Sequence, residues 1–165
     1  MQIGRALRHL FATDWGTRRR FGPEVLARIE ATIREVEAQH AGEIRFAIET
    51  AFDLAELWYG LSPRQRALEV FGQLGVWDTE RNNGVLIYVL LADHDVEIIA
   101  DRAIATRVSQ AEWDAVCRGV EDHFRAGRFG DGSEAGIRGV GELLAKHFPH
   151  LGGDRDEHPN QAVLL

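Results

Sequence analysis

WDTERNNGVLIYVLLADHDVEIIADRAI, residues 77–104, is the stretch whose reading decides the fold. From 85 to 91 the run VLIYVLL is continuously apolar and rich in β-branched and aromatic residues, the composition of a strand covered on both faces. Ala92-Asp93-His94-Asp95 supplies turn chemistry, and 96–100, VEIIA, is a second short strand pattern. The two runs read as an antiparallel hairpin. Pairing them sets Asp78, Glu80, Asn82 and Asn83, which precede the first strand, beside Asp101 and Arg102, which follow the second. This crowding of carboxylates, amides and a guanidinium at one end of a buried hairpin is the first candidate site.

Upstream, EIRFAIET at 43–50 alternates strictly, with Ile44, Phe46 and Ile48 on one face and Glu43, Arg45, Ala47 and Glu49 on the other. Before it, Pro23 opens a helical pattern of Val25, Ile29, Ile33 and Val36 that Gly42 stops. Between the strand patterns, Asp53 with Glu56 marks a short helical turn, and Ser62-Pro63 caps a helix carrying Ala67, Leu68, Phe71 and Leu74. Strand, helix and strand in that order predict a right-handed parallel βαβ unit. The fold class is therefore α/β, a small mixed sheet made of a parallel βαβ unit plus an antiparallel hairpin strand, flanked by helices.

Downstream, Ser109 and Glu112 make a capping box ahead of Trp113, Val116, Val120 and Phe124. Gly127 and a Gly130-Asp131-Gly132 turn are expected to end that helix. The last helix is then expected to begin near Ser133 and to carry Ile137, Val140, Leu144 and Phe148 before Pro149. Three regions follow: an amphipathic N-terminal segment at 1–20, one α/β domain at 21–149, and a flexible tail at 150–165. Within the first, Ile3, Leu7, Leu10 and Phe11 share a helical face with Arg5 and Arg8 off it. The segment either packs on its own domain or lies on a partner or a membrane surface.

Composition narrows the function classes. The 165 residues carry a formal charge of −7, which opposes generic binding to nucleic acid. The one cysteine, Cys117, excludes an internal disulfide framework and reads as a packing residue rather than a nucleophile. The opening lacks the apolar core and cleavage site of a secretory signal, and no stretch approaches the roughly 20 apolar residues that span a bilayer. The expected location is cytoplasmic. His94, His123 and His147 are too scattered to read as a metal set, and Trp15, Trp58, Trp77 and Trp113 read as core or interface residues.

The element order, and especially NNGVLIYVLLADHDVEIIADRAI followed by a helix and FRAGRFGDGSEAGIRGVGELL, resembles the TPM domain family over about 21–148. The resemblance implies a compact α/β domain. Its members include bacterial proteins often linked with LemA-type membrane proteins, a plant thylakoid member with acid phosphatase activity, an animal receptor auxiliary protein, and members that bind calcium. This chain departs from the common pattern in three ways. It shows no exporting signal or membrane tail, Trp15-Gly16-Thr17-Arg18 stands where many members have an Asp-Asp-rich opening, and Ala103 replaces a frequent glycine.

The candidate residues support two chemistries. Asp78, Glu80, Asn83 and Asp101 offer hard oxygen ligands suited to calcium or magnesium, although their spacing is not that of an EF-hand loop. Asp101-Arg102 alternatively pairs an anion holder with a carboxylate able to position water. The competing reading makes Asp78, Asn82 and Asn83 turn-satisfying residues and leaves Glu80 solvated. A rival acidic end gathers Glu49, Asp53, Asp93 and Asp95 beyond the carboxyl ends of the parallel strands, where open α/β sheets bind ligands. The leading expectation is an accessory protein-interaction module with no required cofactor and a protein partner, such as a LemA-like membrane protein. A weak divalent-metal-assisted phosphatase is the alternative.

Overall fold

The alternating stretch EIRFAIE forms β1 (Glu43–Glu49), and the apolar run forms β2 (Gly84–Leu90). The computed structural model that shows this describes residues 3–149 and 157–165. β1 and β2 pair in parallel with Phe46 opposite Ile87, as the βαβ reading requires. The second hairpin strand is β3 (Asp95–Ala100), antiparallel to β2 with Val85 opposite Ala100. His94 closes the turn between them at a φ of +53°.

Eight helices surround this sheet among the described residues: α1 (Ile3–Phe11), α2 (Asp14–Arg20), α3 (Pro23–Glu37), α4 (Leu54–Trp58), α5 (Pro63–Gln73), α6 (Arg102–Ala105), α7 (Gln110–Arg125) and α8 (Phe129–His147). Their starts follow local chemistry. Proline opens α3 and α5, and reciprocal capping boxes join Asp53 with Glu56, Ser62 with Gln65 and Ser109 with Glu112.

The sheet carries a core on each face. Ile44, Phe46, Ile48, Val85, Ile87 and Val89 meet α3, α7 and α8 through Ile29, Ile33, Val120, Phe124, Ile137 and Val140. On the other face Ala47, Leu86 and Tyr88 meet Phe52, Leu57, Ala67 and Val70 around α4 and α5. Burying both faces explains the unbroken apolar run of β2.

The C-terminal tail corrects the sequence reading. The last residues are not a loose tail. Val163–Leu164 forms β4, which pairs in parallel with β1 and gives the sheet order β3-β2-β1-β4. The Leu165 amide donates to Ile48 O at 2.9 Å. Without this strand β1 would present a row of unpaired backbone groups, and the short strand satisfies part of it. The same segment covers the polar face of β1. Arg45 donates to the Pro159 carbonyl, the His158 amide approaches Glu43 Oε2 at 3.3 Å, and all seven β1 residues are buried. Residues 150–156 of the expected tail lie outside the described residues.

A second correction concerns α8, which begins at Phe129 rather than near Ser133. The glycines read as a turn are inside the helix. A Cβ on Gly132 would stand 2.8 Å from His123 Cβ, and one on Gly136 would stand 2.6 Å from Val120 Cγ2. Their missing side chains let α8 lie close against α7, which is a packing demand that single-sequence turn rules cannot distinguish from a φ demand.

The N-terminal helices dock on the domain, but with the polar side inward. His9 of α1 is 4% exposed, its Nδ1 accepting from the Phe52 amide at 2.9 Å. Arg5 Nε donates to Asp93 at 2.8 Å. Thr17 of α2 is equally buried, its hydroxyl 2.9 Å from that of Thr50. Leu7, Leu10 and Phe11 consequently face outward. The side chain of Ile3 lies outside the described ones.

Candidate functional site

The hairpin base is assembled by backbone pairing. Asn83 precedes β2 and Asp101 follows β3, so the Val85–Ala100 register brings both to one sheet end, where the Asp101 amide donates to Gly84 O at 2.9 Å. Both are buried. The Asn83 amide donates to Thr79 Oγ1 at 3.0 Å, its Nδ2 donates to the Ala41 carbonyl, and its own carbonyl accepts from the Glu43 amide at 3.1 Å. Asp101 N-caps α6, with Oδ1 accepting from the Arg102 amide at 2.6 Å. Two oxygens remain. Asn83 Oδ1 and Asp101 Oδ2 are buried and, among the described residues, accept no hydrogen bond.

The other predicted members do not join them. Asp78 is exposed and its amide donates to Gly75 O at 2.8 Å, while Asn82 holds the turn at a φ of +53°. Glu80 is exposed, with its amide 3.2 Å from Glu157 Oε2. Arg102 points to solvent. The turn reading therefore accounts for Asp78, Glu80 and Asn82, and Asn83 and Asp101 are the two predicted members that are buried at this sheet end. Their unused oxygens fit a hard cation in chemistry. In number they supply little, since among the described residues no three His, Cys, Asp or Glu side chains form a metal-holding group.

The rival acidic end is not one cluster, because each acid has its own surroundings. Glu49 accepts from Arg66 Nε at 2.9 Å and from the Tyr88 hydroxyl, beneath α5. Burial and this carboxylate raise the Tyr88 hydroxyl above its ordinary range. Asp53 is the α4 cap. Asp93 meets Arg5 at 2.8 Å, Arg8 at 3.2 Å and His9 Nε2 at 3.2 Å. Burial pushes its carboxyl upward, yet hydrogen bonds from Arg5, His9 and Arg8 outweigh that and hold it below the usual value. Asp95 has the opposite fate. Burial, then the charges of Glu97 and Glu121, push its carboxyl up to about 6.

Sequence reasoning missed the basic and imidazole partners of Asp93, because α1 was read by its apolar stripe alone. His9 on the side opposite that stripe was the available signal. Cys117 behaves as read. It packs beside the first core, and burial pushes its thiol up to about 12.

Comparison with known proteins places this arrangement. The model of the TPM domain matches residues 19–143. The fold is similar to the NMR structure of BA42 protein from the psychrophilic bacterium Bizionia argentinensis, with a TM-score of 0.76 and 34% identity, covering 86% of this chain and 93% of that one. It is also similar in fold to the N-terminal domain of a protein from P. gingivalis, with a TM-score of 0.55 and 21% identity over 73% of this chain and 75% of that one. A third similar fold is the N-terminal domain of cg2496 protein from Corynebacterium glutamicum, with a TM-score of 0.55 and 16% identity over 74% and 73%. No curated protein matches the chain. A family model spanning most of the chain, with a relative of one-third identity over nearly its whole length, makes this chain a member of the TPM domain family.

Proposed function

We propose that the chain is an accessory interaction module of a membrane-associated complex, with a protein partner seated on α4. The observation that carries this reading is an uncovered apolar surface: Leu54, Trp58 and Tyr59 are 59%, 74% and 86% exposed within six residues. The capping box of Asp53 and Glu56 fixes the start of the helix, and buried Leu57 anchors it. Large aromatics held in place in advance contribute strongly to protein interfaces because little ordering entropy is lost on binding. The TPM resemblance supplies the partner class, a LemA-like membrane protein. Co-expression with such a protein and purification in detergent tests this. Trp58→Ala with Tyr59→Ala is expected to abolish co-purification while leaving the thermal midpoint unchanged, and undiminished co-purification would refute the reading.

A divalent-metal-assisted phosphatase is the second reading, supported by the two unused oxygens at the hairpin base. Asp101 and Asn83 would hold calcium or magnesium, which supplies Lewis acidity toward a phosphoryl oxygen. Arg102 next to the site would attract the phosphate, and the buried Asp101 carboxylate keeps its orientation through the α6 cap. The docking reading leads because it needs only the surface present, whereas phosphoryl chemistry needs further convergent donors.

A further inference from the structure

We infer that the outward faces of α1 and α2 form a peripheral attachment site for an anionic lipid bilayer. The geometry begins with what pins each helix. His9 and Thr17 are the inward contacts, and at about 100° per residue the positions two away lie on the far side. Those positions are Leu7 and Phe11 on α1, and Trp15 and Arg19 on α2. Phe11 is 75% exposed and Trp15 is 71% exposed, and Leu10, beside Phe11 on α1, is 60% exposed. Phe11 of α1 and Trp15 of α2 border one groove of about 320 Å³ together with Arg8 and Arg20, so these side chains are neighbours across the junction of the two helices.

Charge selects the occupant. In a chain of net charge −7, residues 1–20 hold five arginines against one acidic residue, Asp14; Arg5 and Arg8 are held by Asp93, which leaves Arg18, Arg19 and Arg20 to meet an outside anion. Asp14 already accepts from the Thr50 hydroxyl at 3.3 Å. Among the described residues no carboxylate pairs with Arg18, Arg19 or Arg20. The Arg19 guanidinium lies 5.6 Å from the Trp15 ring centre and Arg20 lies 5.4 Å from that of Phe129, so the cations are interleaved with aromatic rings. Leucine, phenylalanine and tryptophan flanked by arginines match the headgroup boundary of a membrane, where apolar side chains enter the acyl edge and guanidinium groups meet lipid phosphates. The apolar residues of α4 lack this basic flank, since Asp53 and Glu56 accompany them. Among the described residues no helix is long and apolar enough to cross a membrane, so the attachment is to its surface.

Flotation of the full chain with vesicles tests the site, using phosphatidylcholine alone and phosphatidylcholine with one quarter phosphatidylserine. The chain is expected to float with the anionic vesicles and not with the neutral ones. Phe11→Ser with Trp15→Ser is expected to abolish flotation, and Arg18→Gln with Arg19→Gln to weaken apparent lipid affinity roughly 30-fold. Trp77→Ser, an exposed tryptophan at the opposite sheet end, serves as the control and is expected to bind as the parent does. Thermal melts establish that each variant is folded, and the arginine pair keeps the test decisive if the apolar pair is not. Failure of the parent to float, equal flotation of the arginine variant, or equal loss in Trp77→Ser would overturn the inference. Because the vesicles contain no protein, those outcomes leave partner docking on α4 to its own test.

Discussion

Asp93 and Asp95 stand two residues apart and titrate in opposite directions because different elements face them. Asp93 turns toward Arg5, Arg8 and His9 of α1, whereas Asp95 is half-buried near Glu97 and Glu121. The native state therefore holds the Asp95 proton more tightly than the unfolded chain does. Its favourable contribution is complete below the ordinary value of 3.8 and is lost as pH rises through about 6. Asp95→Asn is accordingly expected to stabilise the protein by about 1–2 kcal/mol at pH 8, after allowance for partial solvation, with the gain shrinking toward pH 4. Urea unfolding across that range checks it, and a gain independent of pH would mean that charge burial is not the cause. The turn chemistry of 92–95 was legible in the residues. The division of its acids between two environments was not, since Arg5, Arg8, His9 and Glu121 lie far away in the chain.

At the scale of elements, α8 shows how one residue type serves two purposes. Gly130-Asp131-Gly132 has the composition of a turn, yet Gly132 and Gly136 lie inside the helix where α7 comes closest. Gly136→Ala would gain helix propensity but drive a methyl group against Val120, which is 1% exposed. The expected net cost is about 1–2 kcal/mol in denaturant unfolding. Adding Val120→Ala should recover part of the loss if the clash is with that side chain, whereas a double variant showing plain additivity would place the strain elsewhere. The starts of α3, α4, α5 and α7 agree with their local signals because capping boxes and first-turn prolines act within four residues.

For the whole molecule, the hairpin base sets a limit on metal affinity. One carboxylate oxygen and one amide oxygen are left unused there, against the six to eight oxygens that calcium prefers. A dissociation constant of about 1 mM or weaker is the expected result, so 1 mM calcium should stabilise the fold by no more than about 0.4 kcal/mol. Calorimetric titration with a parallel thermal melt measures this. Stoichiometric micromolar binding that disappears in Asp101→Asn would instead make the metal-assisted phosphatase the leading function.

Three of the four strands were readable from residues 43–104 because hydrophobic period, turn composition and crossover length are local properties of the chain, and they suffice to specify two parallel strands and a hairpin. The placing of Asn83 and Asp101 at one sheet end followed from that pairing alone. Tertiary structure decided which polar residues remained available. Asp78 and Glu80 stay on the surface, and Glu49 and Arg45 are enclosed by α5 and by a C-terminal segment more than a hundred residues from β1. It also turned the apolar stripe of α1 outward, because His9 and Arg5 find Phe52 and Asp93 on the domain surface. Amphipathicity records that a helix has two faces; which one is buried depends on the hydrogen-bonding groups that the rest of the fold presents to it.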